Sequence, residues 1–122
     1  MTILALDHVQ MAIPAGGEDS ARAFYVGVLG FTEQPKPERL VAGGGAWFVA
    51  GSVHVHVGVD PDFHPARKGH PGLLVSGLDD LRGRCVAAGC RVVDDDRLPG
   101  YRRFYVDDPF GNRIECLEPD AR

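Results

Sequence analysis

Two histidines and one glutamate carry the clearest chemistry in this sequence. His8 lies in the first strand-like run, His70 stands just before the first apolar run of the second half, and Glu115 lies in the last run. They are far apart along the chain but occupy matching points of two similar halves. Imidazole nitrogen and carboxylate oxygen are common ligands of divalent metals, and three protein ligands leave positions open for substrate or water. The pattern therefore indicates a catalytic metal site.

A third imidazole and an amide are predicted on the same side of the first-module strands as His8. In the predicted strand around residue 55, His54 and His56 alternate with valines and so face away from the apolar side. His56 is predicted to act in the polar pocket, as a base or a donor to substrate, in preference to serving as a fourth ligand. Gln10 shares the face of His8, where it either orients substrate or ligand or is a satisfied polar residue.

The last two strands add two arginines and a tyrosine to the predicted site. Arg103 and Tyr105 alternate with apolar residues, and Arg113 has the parity of Glu115. Guanidinium groups repel a cationic metal, but they fit a substrate that carries a carboxylate or phosphonate. The alternative is that one arginine pairs with Glu115 or a nearby aspartate while the other is solvated. We therefore expect Arg103, Tyr105 and Arg113 to contact an anionic substrate.

Composition argues against several classes of function. The chain has 122 residues and a formal net charge of −4, without a block of lysine or arginine, so binding to nucleic acid or to an anionic membrane is not expected. No apolar run is long enough to span a bilayer, and no signal peptide is visible. Three cysteines without a CxxC pair predict buried free thiols in a reducing compartment, and hence a cytoplasmic protein.

The first half predicts one strand, one helix and then further strands. An alternating strand occupies residues 4–13, and a helix near 18–29 carries one apolar stripe and ends at Gly30. Prolines weaken the strand that follows. The runs 46–49 and 53–57 then predict a hairpin.

The second half repeats this order. Its predicted elements are a strand at 73–75, a helix over 78–88, a strand at 91–93, an acidic turn at 94–96 and a hairpin that pairs 103–106 with 113–117. Both halves therefore have the order βαβββ.

The repeated order predicts an α+β protein with a single domain over residues 1–122. Module one covers 1–59, a linker covers 60–69 and module two covers 70–120. One helix covers only one face of a four-stranded sheet, so the other face is expected to curl into a half-open, polar groove. The predicted fold is two βαβββ modules that form a curved mixed-sheet groove.

Four motifs follow one another across nearly the whole chain. They are LDHV at 6–9, FYVGVLGF at 24–31, LDDL at 78–81 and DPFGNRIE at 108–115. The second and fourth are specific at this separation, whereas each motif alone is weak. In these motifs the chain resembles the vicinal oxygen chelate superfamily, also called the glyoxalase / bleomycin-resistance / dioxygenase superfamily. The resemblance implies paired βαβββ modules, a divalent metal in the groove and usually a homodimer.

The same resemblance implies where metal ligands lie. The family takes them from the first and fourth strands of each module, and His8, His70 and Glu115 match three of these positions. The remaining position offers His54 or His56 where glyoxalase I has a glutamate, which argues against glyoxalase I activity. A three-ligand site is more similar to the fosfomycin-resistance or extradiol-dioxygenase branches. Extradiol enzymes usually carry a second copy of the domain, for which this chain is too short.

These observations predict a metal-dependent enzyme that acts on a small oxygen-chelating molecule, as a lyase, isomerase, transferase or dioxygenase. Manganese, iron, nickel and zinc ions all suit the nitrogen and oxygen ligands. The alternative is a non-catalytic protein of the bleomycin-resistance kind, which sequesters an antibiotic in a dimer groove. The three ligand-type residues at ligand positions argue against this alternative.

Overall fold

The computed structural model describes residues 1–121. The chain divides into two compact units, Met1–His64 and a second that begins at Pro65. Each unit contains a four-stranded sheet with mixed strand directions, so the predicted α+β class and the predicted βαβββ order are confirmed. No described helix is long and apolar enough to cross a membrane.

The first unit is built from four strands and two helices. In chain order they are β1 (Val9–Ile13), α1 (Glu18–Tyr25), β2 (Thr32–Gln34), α2 (Glu38–Val41), β3 (Ala46–Ala50) and β4 (Val53–Val59). The sheet order is β1-β4-β3-β2, with β1 parallel to β4 and the other pairs antiparallel. Its apolar face is buried, with Ile13 and Phe48 wholly excluded from solvent. The opposite face is therefore left for polar side chains.

The second unit repeats this topology without the short second helix. Its elements are β5 (Gly72–Leu74), α3 (Leu78–Ala87), β6 (Val92–Asp95), β7 (Tyr101–Asp107) and β8 (Arg113–Pro119). The sheet order β5-β8-β7-β6 matches that of the first unit, again with one parallel pair. Cys85 and Cys116 are free thiols inside its core, and burial raises the pKa of Cys85 to about 11 and that of Cys116 to about 12. Both remain protonated at neutral pH and are not nucleophiles.

A buried turn fixes the start of β8. The Asp108 carboxylate accepts hydrogen bonds from the backbone N–H groups of Phe110 and Asn112 and from the Asn112 side chain, each at 2.9 Å. The Asn112 amide oxygen accepts a 2.8 Å bond from the N–H of Ala66, 46 residues earlier. The N–H of Arg113 then donates to the Ala66 carbonyl. This turn ties the segment that precedes His70 to the strand that carries Glu115.

Several elements differ from the sequence prediction, and one of them is the short helix α2, which was not predicted. The first strand begins at Val9 instead of residue 4, which leaves His8 just outside it. The first helix ends at Tyr25 instead of residue 29, because the chain widens into turns in which the N–H of Gly27 donates to the Arg22 carbonyl. A Cβ at Gly27 would lie 2.4 Å from the Ala23 carbonyl oxygen, so this turn requires glycine.

The acidic turn predicted at residues 94–96 is wrong, since Asp94 and Asp95 belong to β6. Aspartate is unfavourable in strands, but here both carboxylates are neutralised. Arg82 holds Asp94 through two bonds of 2.8 and 2.9 Å, and Asp95 accepts bonds from Arg97 and Arg103. These partners lie up to 12 residues away, beyond the reach of local pattern.

Candidate functional site

In the first unit, a row of side chains crosses the polar face of the sheet. The strand register places Gln10 of β1 opposite His56 of β4, His56 opposite Trp47 of β3, and Trp47 opposite Gln34 of β2. All four side chains share one face because strand side chains alternate. The strand register thus agrees with the prediction that Gln10 and His56 lie on the same face of the sheet.

The centre of this row is a stack of three rings. The His56 ring lies 4.2 Å from Trp47 at an interplanar angle of 7°, and 4.1 Å from His8 at 17°. Burial lowers the pKa of His56, and the positive charges that His8 and His54 can carry lower it further. His56 is therefore neutral at pH 7, and a neutral imidazole has one nitrogen that accepts a proton.

His8 enters the stack from the segment that precedes β1. Its Nδ1 lies 2.9 Å from the Asp7 carboxylate, which can only accept a hydrogen bond when ionised. The proton of the neutral ring therefore sits on Nδ1, and the Nε2 lone pair remains available to a ligand. A carboxylate that orients a histidine in this way is a recurrent feature of metal sites.

These side chains line a groove of about 680 Å³ on the polar face of the first unit. His8, Gln10 and His56 lie along one part of it, and Gln34 and Lys36 lie along another. Gly43 and Gly44 of the glycine run at 43–45, with Leu40 of α2, also border the groove. The Gly45 N–H donates a 2.9 Å bond to Glu18, so this run is tethered to α1.

In the second unit, the equivalent row contains charge. The register places Gly72 of β5 opposite Glu115 of β8, and Glu115 opposite Tyr105 of β7. Glu115 thus occupies the position that His56 holds in the first sheet. His70 precedes Gly72 by two residues, as His8 precedes Gln10, so the two histidines are also equivalent.

The contact between His70 and Glu115 is the most informative in this unit. His70 Nδ1 lies 2.9 Å from the Lys68 carbonyl oxygen and must carry a proton there, because that oxygen can only accept. His70 Nε2 then lies 3.0 Å from Glu115 Oε1. Two lone pairs face each other across this distance unless a second proton or a cation lies between them. The geometry therefore suits either a protonated His70 that forms an ion pair with Glu115 or a cation bound between them.

Glu115 is held from its other side by a charged network. Its side chain is 12% exposed, and Oε2 accepts a 3.2 Å bond from Arg103. Arg103 also donates to Asp95, whose side chain is 7% exposed. Hydrogen bonds from Arg97, and then from Arg103, hold the pKa of Asp95 well below its usual range. Arg103 therefore pairs with Glu115, the alternative that the sequence left open for one of the arginines.

The second arginine lies against an aromatic ring instead. The Arg113 guanidinium carbon is 5.2 Å from the centre of the Tyr105 ring, and that of Arg103 is 5.3 Å from it. His70 contacts the Tyr105 ring edge-on, with centroids 5.5 Å apart. Within residues 1–121, Arg113 has no carboxylate at ion-pair distance. It remains the cation of this face that is open to an anionic partner.

The donor set fits a divalent metal. His8 and His70 both present an Nε2 lone pair, and Glu115 presents Oε1, which gives the nitrogen and oxygen ligands that such ions take. Among the described residues, no three histidine, cysteine, aspartate or glutamate side chains lie together in a geometry that could hold a metal.

Sequence reasoning missed three contributors to these faces. Asp7 adjoins His8, and a carboxylate beside a candidate ligand was a usable signal. Trp47 shares the parity of the polar face in its hairpin, and the register places it opposite His56. Asp95 left no local signal, because its partner Arg103 comes from another strand.

Comparison with known proteins establishes the family. The model of the Glyoxalase/Bleomycin resistance protein/Dioxygenase superfamily matches residues 5–116, so the chain belongs to this superfamily. A protein assigned to the glyoxalase family from Bacillus anthracis is 45% identical, with 98% of each chain covered and a TM-score of 0.94. Comparison with curated proteins gave no match.

More distant structures share the fold alone. The genomically encoded fosfomycin resistance protein FosX from Listeria monocytogenes is 15% identical, with a TM-score of 0.79 and coverage of 98% of this chain and 96% of that one. Its E126Q mutant, complexed with Mn(II) and 1S,2S-dihydroxypropylphosphonic acid, has a TM-score of 0.76 at 15% identity, over 94% and 90% of the two chains. That protein of similar fold thus binds a divalent metal and a small molecule.

Proposed function

We propose that this protein is a divalent-metal-dependent enzyme that acts on a small oxygen-chelating molecule. His8, His70 and Glu115 are the proposed metal ligands. The observation that carries the proposal is the 3.0 Å approach of His70 Nε2 to Glu115 Oε1, with the His70 proton directed to a carbonyl oxygen. The metal, when bound, would polarise substrate oxygens and stabilise the negative charge that develops on them. Manganese, iron, nickel and zinc ions all fit these ligands.

The residues around the ligands supply the remaining steps. His56, which burial keeps neutral, accepts a proton from substrate at its free ring nitrogen. Gln10, opposite His56 in the sheet, orients the substrate through its amide. Arg113 and Tyr105 contact the substrate, whereas Arg103 chiefly holds Glu115 in place. The reaction type remains that of a lyase, isomerase, transferase or dioxygenase.

The proposal includes a cytoplasmic homodimer. One face of each sheet lacks a covering helix, and an isologous pair of chains is the usual way to cover such a face. Light scattering should give about twice the mass of one chain. A mass of one chain at micromolar concentration would contradict the dimer.

A metal measurement on protein purified without chelator tests the proposed function. We expect about one divalent ion per chain, and we expect His8→Ala and Glu115→Ala to lose most of it, because a site with two protein ligands is weak. His64→Ala is the matched control, since His64 is an exposed histidine whose one side-chain hydrogen bond within residues 1–121 is to the Asp62 carbonyl. Wild-type protein that binds no divalent ion, or a His8→Ala, His70→Ala double variant that keeps its ion, would overturn the ligand assignment.

A further inference from the structure

The groove of the first unit contains a cation that the metal site does not use. Lys36 lies two residues after Gln34 on the extension of β2 and lines the same groove as His56. Its ammonium donates to the Gly44 carbonyl and has two further N–H groups. Within the described chain, no carboxylate lies at ion-pair distance from it. A half-buried ammonium without a counter-ion is unusual in a protein whose net charge is −4.

The carboxylate that lines this groove is engaged elsewhere. Asp7 is hydrogen-bonded to His8. The concave surface around Lys36 therefore has an uncompensated positive charge. Walls of low dielectric constant focus the electric field of a charge into the groove, so this charge acts strongly on a molecule that enters it.

Two amides add hydrogen-bonding groups beside this charge. In residues 1–121, the side chains of Gln10 and Gln34 make no hydrogen bond to protein. Gln10 fits because position 58 is glycine, where a Cβ would lie 2.5 Å from the Gln10 amide nitrogen. Each amide offers two N–H donors to an anionic oxygen.

Apolar surface lies on the other sides of the groove. Leu40 of α2 is 50% exposed, and Trp47 contributes the outer ring of the stack. The combination of one unpaired ammonium, two free amides and apolar walls suits a small organic acid better than a neutral or cationic molecule.

We propose that Lys36, with Gln10 and Gln34, forms a subsite for the acidic group of the substrate, a carboxylate or a phosphonate. The inference deepens the proposed function, because it assigns a substrate class to the same site. It also assigns the contact with the acidic group to Lys36 instead of Arg103. The Arg103 guanidinium already pairs with two carboxylates. Lys36 is a specificity-determining residue in this assignment and takes no part in metal binding.

The single tryptophan of the chain makes the subsite directly measurable. Trp47 is the only tryptophan and lines this groove, so its fluorescence reports occupancy without any assay of turnover. The probes are benzoate and phenylphosphonate, with benzamide as the neutral control of the same shape. Titrations are made on full-length protein, both after chelation and after loading with Mn²⁺.

We expect both acids to bind at least about tenfold more tightly than benzamide, which corresponds to about 1.4 kcal/mol. Lys36→Met should remove this preference and Lys36→Arg should keep it, while Arg84→Met, an exposed charge on α3, should leave it unchanged. The ratio of benzoate to phenylphosphonate affinity identifies which acid the subsite prefers. Equal binding of benzamide, or a preference that survives Lys36→Met, would overturn the inference.

The two proposals can fail separately. Lys36-dependent binding of acids to chelated protein that never takes up a metal would retain the subsite and reject the metal-dependent enzyme. Full occupancy by metal without a preference for acids would retain the proposed metal site and reject the Lys36 subsite. The metal content and the Trp47 titration therefore decide different questions.

Discussion

The two units have the same topology but treat the same position in opposite ways. His56 in the first sheet is neutral and packed between Trp47 and His8. Glu115 in the second sheet is an anion held between His70 and Arg103. Repeated topology thus fixes where a side chain points, whereas its chemistry is set by the neighbours that each unit provides. We infer that the anionic Glu115 serves as a metal ligand in the second unit, whereas the neutral His56 of the first unit takes part in proton transfer.

The largest expected effect is a difference in metal affinity between variants of Glu115 and variants of His56, which holds the equivalent position in the first sheet. Glu115→Gln keeps the shape of the side chain but removes the anionic oxygen, so metal affinity should fall by about a hundredfold or more. His56→Gln should change metal affinity by less than about tenfold while it abolishes turnover. Calorimetric titration with Mn²⁺ measures the metal affinity of both variants. Comparable losses of metal in the two variants would make His56 a fourth ligand and remove the proposed division of roles.

The second-largest expected effect concerns the ion-pair network of Arg103, Glu115 and Asp95 in the second unit. Arg103→Met removes the bond to Glu115 Oε2, and the loss of such a supporting contact typically costs about 10- to 100-fold in metal affinity. Arg103→Lys should recover part of the loss. Its ammonium still places a positive charge near Glu115, although it lacks the planar, two-donor geometry of a guanidinium. Exposed Arg84→Met is the control. Metal affinity that is unchanged in Arg103→Met would show that Glu115 needs no such support.

The smallest expected effects are two separate windows of acid sensitivity. The pKa of His56 is lower in the folded protein than its ordinary value of 6.5, so the unfolded chain binds its proton first and the free energy of unfolding falls as pH drops below 6.5. The pKa of Asp95 is lowered from 3.8, so its contribution is present above pH 3.8 and is lost below it.

Urea unfolding of chelated protein at several pH values measures these two windows. His56→Phe, which keeps an aromatic ring in the stack, should flatten the loss below pH 6.5, and Asp95→Asn should flatten the loss below pH 3.8. His64→Asn should retain both. If His56→Phe loses stability below pH 6.5 as steeply as wild type does, another group is responsible for that window.

The sequence predicted more of the topology than of the site. Alternation of apolar residues gave the strands and the facing of His56 and Glu115, because these depend on local period alone. The end of α1 at Tyr25 and the inclusion of Asp95 in β6 were not predicted. The first depends on wide turns near Gly27, and the second on a partner from another strand.

The same distinction applies to the site residues. The types and positions of His8, His70 and Glu115 pointed to metal chemistry without any structure. The tautomers of both histidines and the role of Arg103 depend on distances that no spacing along the chain encodes. Lys36 gave no signal, since an isolated lysine beside prolines is ordinary until the groove around it is known.

The buried turn from Asp108 to Asn112 affects how much a sequence match can say about this superfamily. It is the most recognisable stretch of the chain, yet its two polar side chains are occupied with backbone N–H groups and with each other. The role of these two side chains is therefore structural. A relative that shares this turn shares the frame that aligns the strand of Glu115, but the turn itself does not identify its substrate.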